Sequence, residues 1–129
     1  MNLLIVDDEY LVVEEVVTVT DWELLGITEI YSATNAVSAV RILNEKKIDI
    51  MICDIEMPQT DGLELSKKAK ENFPDLEIVM LTSHAEFNYV RNALRYGCYD
   101  YLLKPVMEDD IIKAVSYTHL RAHETGAYL

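Results

Sequence analysis

Ile48-Asp49-Ile50-Met51-Ile52-Cys53-Asp54-Ile55-Glu56-Met57-Pro58 is the stretch that decides the fold. Its middle is apolar without alternation, which marks a strand covered on both faces, and strands of that kind belong to parallel sheets. The run ends on Asp54. A carboxylate at the end of a buried strand costs roughly several kcal/mol unless water, a cation or hydrogen-bond donors reach it. Leu3-Leu4-Ile5-Val6 followed by Asp7-Asp8 repeats the arrangement near the start of the chain. Two apolar strands that both end in acid place those acids together.

Working outward, short apolar runs recur at 2–6, 29–33, 49–54, 77–82 and 99–103, with helical periodicity between them. The first helix, carrying Leu11, Val12, Glu15, Val16 and Val19, is expected to end near Thr20-Asp21-Trp22. Asn35 can cap a second helix bearing Val37, Val40, Ile42 and Leu43. Asp61 can cap a third with Leu63, Leu65, Ala69 and Phe73, which must stop before Pro74. A fourth is expected from Glu86 to Tyr96 with Gly97 as its stop, and a fifth from Glu108 to about Arg121. Strands alternating with helices imply right-handed βαβ units, hence a doubly wound α/β domain with five parallel strands and five helices.

Half of the 129 residues are apolar, enough for one domain with a single core. The net charge of -12 argues against a nucleic-acid surface and suits divalent cations or basic patches on partners. No apolar run reaches the roughly 20 residues of a membrane span, and the start lacks a signal peptide's basic residues. A soluble, cytoplasmic protein is therefore expected. Cys53 and Cys98 lack metal-ligand spacing, and Cys53 reads as a buried strand residue. The four glycines form neither GxGxxG nor GxxxxGK[ST], which excludes a glycine-rich phosphate loop.

In a doubly wound sheet a ligand sits beyond the carboxyl ends of the strands, where the strand order reverses. Asp7, Asp8, Asp54, Thr82 and Lys104 all fall at such ends. Three neighbouring carboxylates repel and raise one another's pKa, a conflict that a hard cation such as Mg²⁺ removes. Lys104 brings a point charge and Thr82 a hydroxyl donor for phosphate oxygens. Together these groups make a phosphoryl-transfer site that forms an aspartyl-phosphate, the nucleophile being whichever carboxylate faces the open coordination position.

Val6-Asp7-Asp8-Glu9, Asp54-Ile55-Glu56-Met57-Pro58 with Asp61-Gly62, Leu81-Thr82-Ser83 and Lys104-Pro105 resemble the response-regulator receiver domain of two-component signalling. The resemblance covers residues 1–115 and implies the flavodoxin-like strand order 2-1-3-4-5. It implies that Asp54 is the phosphoacceptor, and that Asp7, Asp8, Asp54 and the Glu56 backbone carbonyl hold Mg²⁺. Thr82 and Lys104 would contact the phosphoryl group, Thr82 and Tyr101 would act as the switch, and the peptide before Pro105 would be cis. The implied donor is a sensor histidine kinase, with acetyl phosphate as a small substitute. The implied readout is the surface of helix 4, strand 5 and helix 5, residues 86–120, which commonly carries a homodimer. Asp21-Trp22-Glu23-Leu24-Leu25-Gly26-Ile27 and Ala93-Leu94-Arg95-Tyr96-Gly97 further resemble receivers that precede AraC-type output domains, although no output domain is expected in this chain.

The remaining features have plainer readings. Met51, Met57, Met80 and Met107 are spaced as core filling, and Tyr96, Tyr99 and Tyr101 as packing or an interface. Glu9 faces solvent and can orient metal waters; His84 is a loop histidine near the rim. His119 and His123 have the i,i+4 spacing of helical zinc sites but lack HExxH and a third ligand. The tail from Ser116 to Leu129 resembles a translated sequencing-adapter tail and is expected to be non-native, the alternative being a genuine fifth helix ending at Gly126. Two other functions compete. One is an Mg²⁺-dependent phosphatase working through an aspartyl-phosphate; its general-acid Asp, two residues after the nucleophile, is Glu56 here. The other is a receiver-like interaction module without phosphorylation, which would have lost an acid, the Thr or the Lys.

Overall fold

The computed structural model describes residues 1–58, 60–83 and 100–116. Five strands form one parallel sheet: β1 (Asn2–Val6), β2 (Glu29–Ala33), β3 (Ile50–Asp54), β6 (Glu77–Thr82) and β7 (Asp100–Leu103). The remaining two strands, β4 (Glu56–Met57) and β5 (Thr60–Asp61), pair antiparallel with each other. The sheet order is β2-β1-β3-β6-β7. With β4 and β5 set aside this is the expected order 2-1-3-4-5, so the order reverses between β1, which Asp7 follows, and β3, which ends in Asp54.

Alternation along each strand splits the core in two. Leu4, Val6, Met51, Cys53, Ile78 and Met80 face one side, where they pack with Ala39 and Leu43 of α2 (Ala36–Glu45) and Leu63, Leu65 and Ala69 of α3 (Gly62–Asn72). Leu3, Ile5, Ile50, Ile52, Val79 and Leu81 face the other, against Val13 and Val16 of α1 (Tyr10–Thr18) and Ile111, Ala114 and Val115 of the helix at 108–116. Both faces are covered, as near-continuous apolar strands require.

Local signals set the helix ends. The Asn35 side chain accepts from Ser38 N at 2.8 Å, and Asp61 Oδ1 from Leu63 N at 2.8 Å, so both capping expectations hold. The third helix closes at Asn72, before Pro74. The first ends earlier than expected, at Thr18, and Trp22 opens a separate 3₁₀ turn, Trp22–Leu25. The Trp22 indole donates to the carbonyls of Val16 and Val17, both at 3.1 Å, so it satisfies acceptors that a longer helix would have used itself.

Four apolar assignments need correction. Leu11 is 72% exposed, and so is Val37, with Val40 at 44%; the buried stripes run through Val13 and Val16 in α1 and Ala39 and Leu43 in α2. Both helices are apolar on more than one side, so spacing alone leaves the phase open and the sheet selects it. Met51 and Met80 are fully buried and Met57 packs against the core, but Met107 is 60% exposed and fills nothing. Cys53 is buried, as expected. The expected helix at 86–96, together with His84, Tyr96, Gly97, Cys98, Tyr99, His119, His123 and most of the tail, lies outside the described residues.

Candidate functional site

The carboxyl ends of β1, β3, β6 and β7 deliver the site. Backbone bonds carry the ladders past the last strand residue: Asp7 N donates to Ala33 O (3.1 Å), Ile55 N to Leu81 O (2.9 Å) and Lys104 N to Thr82 O (2.8 Å). The residues following the strands are thereby tied to the neighbouring strands. Asp7, Asp54 and Thr82 are buried and Asp8 is exposed. One carboxylate oxygen from each of Asp7, Asp8 and Asp54 lies within 4.8 Å of the others.

Lys104 closes the group. Its Nζ is 3.0 Å from Asp7 Oδ2 and 3.4 Å from Asp54 Oδ1. The Lys104–Pro105 peptide that follows is cis. Asp7 is oriented from its other oxygen, since Glu9 N donates to Oδ1 at 2.9 Å. Asp7 Oδ2 is buried and makes no hydrogen bond; its contact with Lys104 is an ion pair. Asp54 Oδ1 accepts one long bond, 3.3 Å, from Glu56 N.

The electrostatics follow from this crowding. Burial, and after it repulsion from Asp7, push the Asp54 carboxyl up from 3.8 to about 6; Lys104 and the Glu56 N–H oppose the rise without cancelling it. Burial pulls the Lys104 ammonium down, yet its contacts with Asp7 and Asp54 outweigh that and hold it above its ordinary value. Three clustered acids, of which Lys104 pairs with two, leave the group short of positive charge.

That shortage fits a hard divalent cation. The donors are all oxygen, as Mg²⁺ prefers; one of them is a buried oxygen with no hydrogen bond, and the exposed Asp8 leaves the solvent side open for retained waters. Of the residues named from sequence, Asp7, Asp8, Asp54 and Lys104 converge. Thr82 stands on the next strand, buried, in register with Leu103. Tyr101 pairs with Met80 and is 37% exposed, two residues before Leu103 on the edge strand. Glu56 begins the short ladder with Asp61. Sequence reasoning missed that ladder, and the Pro58 and Asp61-Gly62 turn signals flanking it were the available clue.

Residues 3–116 match the family model described as the response regulator receiver domain. The chain belongs to that family. It is 36% identical over 114 residues to the transcriptional regulatory protein YesN of Bacillus subtilis, covering 88% of this chain and 31% of that protein. It is 32% identical over 117 residues to YhcZ, a transcriptional regulatory protein of the same organism, covering 88% of this chain and 52% of the other. The receiver thus spans about a third to a half of the length of these relatives. Among solved structures, the REC domain of AraT, a response regulator from Geobacillus stearothermophilus, is 28% identical with a TM-score of 0.88, covering 97% of both chains. A two-component transcriptional regulator AraC from Clostridium phytofermentans is 23% identical with a TM-score of 0.85, covering 100% of this chain and 99% of that one. At that identity the second likeness is one of fold.

Proposed function

We propose that this receiver accepts a phosphoryl group on Asp54 and switches a transcriptional output carried elsewhere in the protein. The observation that carries the proposal is the convergence of three carboxylates within 4.8 Å, with Lys104 Nζ 3.4 Å from Asp54 Oδ1. Asp7, Asp8, Asp54 and the backbone carbonyl of Glu56 would hold Mg²⁺. When bound, the cation neutralises charge on the carboxylates and on the transferring group.

The chain's own residues do the rest. An Asp54 oxygen forms the new bond to phosphorus while the bond from phosphorus to the donor breaks; the donor is a phosphohistidine of a sensor kinase or a small acyl phosphate. Lys104 donates to one phosphoryl oxygen and the Thr82 hydroxyl to another. The added charge of about -1.5 to -2 then biases a two-state surface. Thr82 and Tyr101 are the switch pair, and residues 86–120 form the surface that is read, including any homodimer. We assign residues 1–115 to the receiver and treat 116–129 as a non-native tail. The chain itself binds neither nucleic acid nor membrane and works in the cytoplasm. No helix among the described residues is long and apolar enough to cross a membrane.

We read this as switching rather than enzymatic turnover, because the position two residues after Asp54, where aspartyl-phosphate phosphatases carry a general-acid Asp, holds Glu56. Addition of beryllofluoride and Mg²⁺, followed by ¹⁹F NMR, tests the reading. A bound resonance is expected in wild type and not in Asp54→Asn. Absence of that resonance in a folded wild type, or rapid repeated hydrolysis of varied phosphomonoesters, would reject it.

A further inference from the structure

The phosphoryl chemistry makes no use of Asp61-Gly62, although the pair stands directly behind it. Gly62 opens α3 with its Cα pressed on the peptide of Asp54. A Cβ there would overlap the Asp54 carbonyl oxygen, and would stand 2.9 Å from its carbonyl carbon and 3.0 Å from Ile55 Cα. All three are backbone atoms, which cannot swing aside as the end of a long side chain does. Gly26 is the one residue among those described with a positive φ, so Gly62 is required by close approach rather than by a left-handed backbone.

Bonds fix the approach from both sides. Gly62 N donates to Ile55 O at 3.0 Å. Asp61 Oδ1 accepts from Leu63 N at 2.8 Å, anchoring the start of the helix, and Asp61 pairs with Glu56 across the short antiparallel ladder. The corner therefore touches the backbone of Asp54 and is paired with Glu56, the two β3-side contributors to the cation site.

We propose that the Asp61-Gly62 corner positions the cation site: it sets the spacing between the Asp54 side chain and the Glu56 carbonyl. This rests on the functional reading above. Mg²⁺ demands near-ideal octahedral geometry at ~2.0–2.1 Å, so a shift of a few tenths of an ångström in one contributor is felt as lost affinity. Asp61 and Gly62 are positioning residues; neither touches the cation.

The test is calorimetric titration with Mg²⁺ alone, with melting temperatures measured in cation-free buffer, on wild type, Gly62→Ala, Asp61→Ala and Leu65→Ala. Leu65 is buried one turn further along α3, in the core rather than at the site. Gly62→Ala is expected to weaken Mg²⁺ binding about tenfold or more, the scale of losses when support behind metal ligands is removed, and Asp61→Ala to weaken it by less. Leu65→Ala should melt lower yet bind as wild type does. Wild-type affinity in Gly62→Ala, or in Asp61→Ala should Gly62→Ala not fold, would overturn the positioning role alone. So would a Leu65→Ala variant that loses affinity in proportion to its stability. A wild type that binds no Mg²⁺ would overturn the functional reading and the positioning role with it.

Discussion

An aspartate stands at either end of β3, Asp49 just before it and Asp54 as its last residue, and the two are used in opposite ways. At the amino end, Asp49 Oδ2 accepts from Asn2 N at 2.7 Å while Asp49 N donates to Asn2 O at 2.9 Å, a reciprocal pair that ties β3 to β1. At the carboxyl end, Asp54 is buried beside Asp7, with one long backbone bond and a lysine it must share. The first acid is satisfied by the fold. The second is held short of satisfaction by the same fold, and that deficit is what a cation or a phosphoryl group would relieve. One strand thus separates the residue that stabilises from the residue that works.

The largest effect that separates the two ends is expected from Asp54→Asn, which should abolish phosphoryl incorporation entirely while the far-ultraviolet circular dichroism stays native. Lys104→Ala comes next. Loss of a charge-assisted contact worth about 1.5–3 kcal/mol should slow phosphorylation by acetyl phosphate roughly 10- to 100-fold, with a smaller change in Mg²⁺ affinity. Equal losses in both assays would show that Lys104 serves the cation rather than the phosphoryl group.

The pH dependence of stability distinguishes the ends without any ligand. Because the folded value of Asp54, about 6, lies above the ordinary 3.8, the native state keeps a proton that the unfolded chain has already released. Its contribution to stability therefore falls as pH rises through that window and stays low above it. In cation-free buffer at pH 7.5, Asp54→Asn should be more stable than wild type by ~1–3 kcal/mol in urea melts, and the gap should shrink towards pH 4. A gap that widened on acidification would reverse the sign of the argument. Asp49→Ala should do the contrary, losing ~1 kcal/mol at pH 7.5 and leaving the Mg²⁺ affinity untouched.

Much of this was legible in the sequence, for a physical reason. Leu3 to Val6, Ile50 to Cys53 and Ile78 to Leu81 are apolar at every position because both faces of those strands are covered, and the acid that follows each of the first two could only be at an edge. Helix phase was less legible. Leu11, Val37 and Val40 are apolar yet exposed, since a short helix with surplus valines offers several stripes and only the sheet it meets chooses one. The role of Gly62 was invisible for another reason: contact with the Asp54 carbonyl depends on how the β4–β5 ladder folds back, and no spacing rule contains that. Trp22 sealing the end of α1 was hidden in the same way, because its partners are backbone carbonyls five and six residues earlier.

The most direct test of the central claim is peptide-mapped mass spectrometry after incubation with acetyl phosphate, with and without Mg²⁺. One phosphoryl group on the peptide containing Asp54, dependent on Mg²⁺ and lost in Asp54→Asn, is the predicted result. Incorporation at another residue, or none in a folded chain with any acyl phosphate or kinase donor, would contradict it.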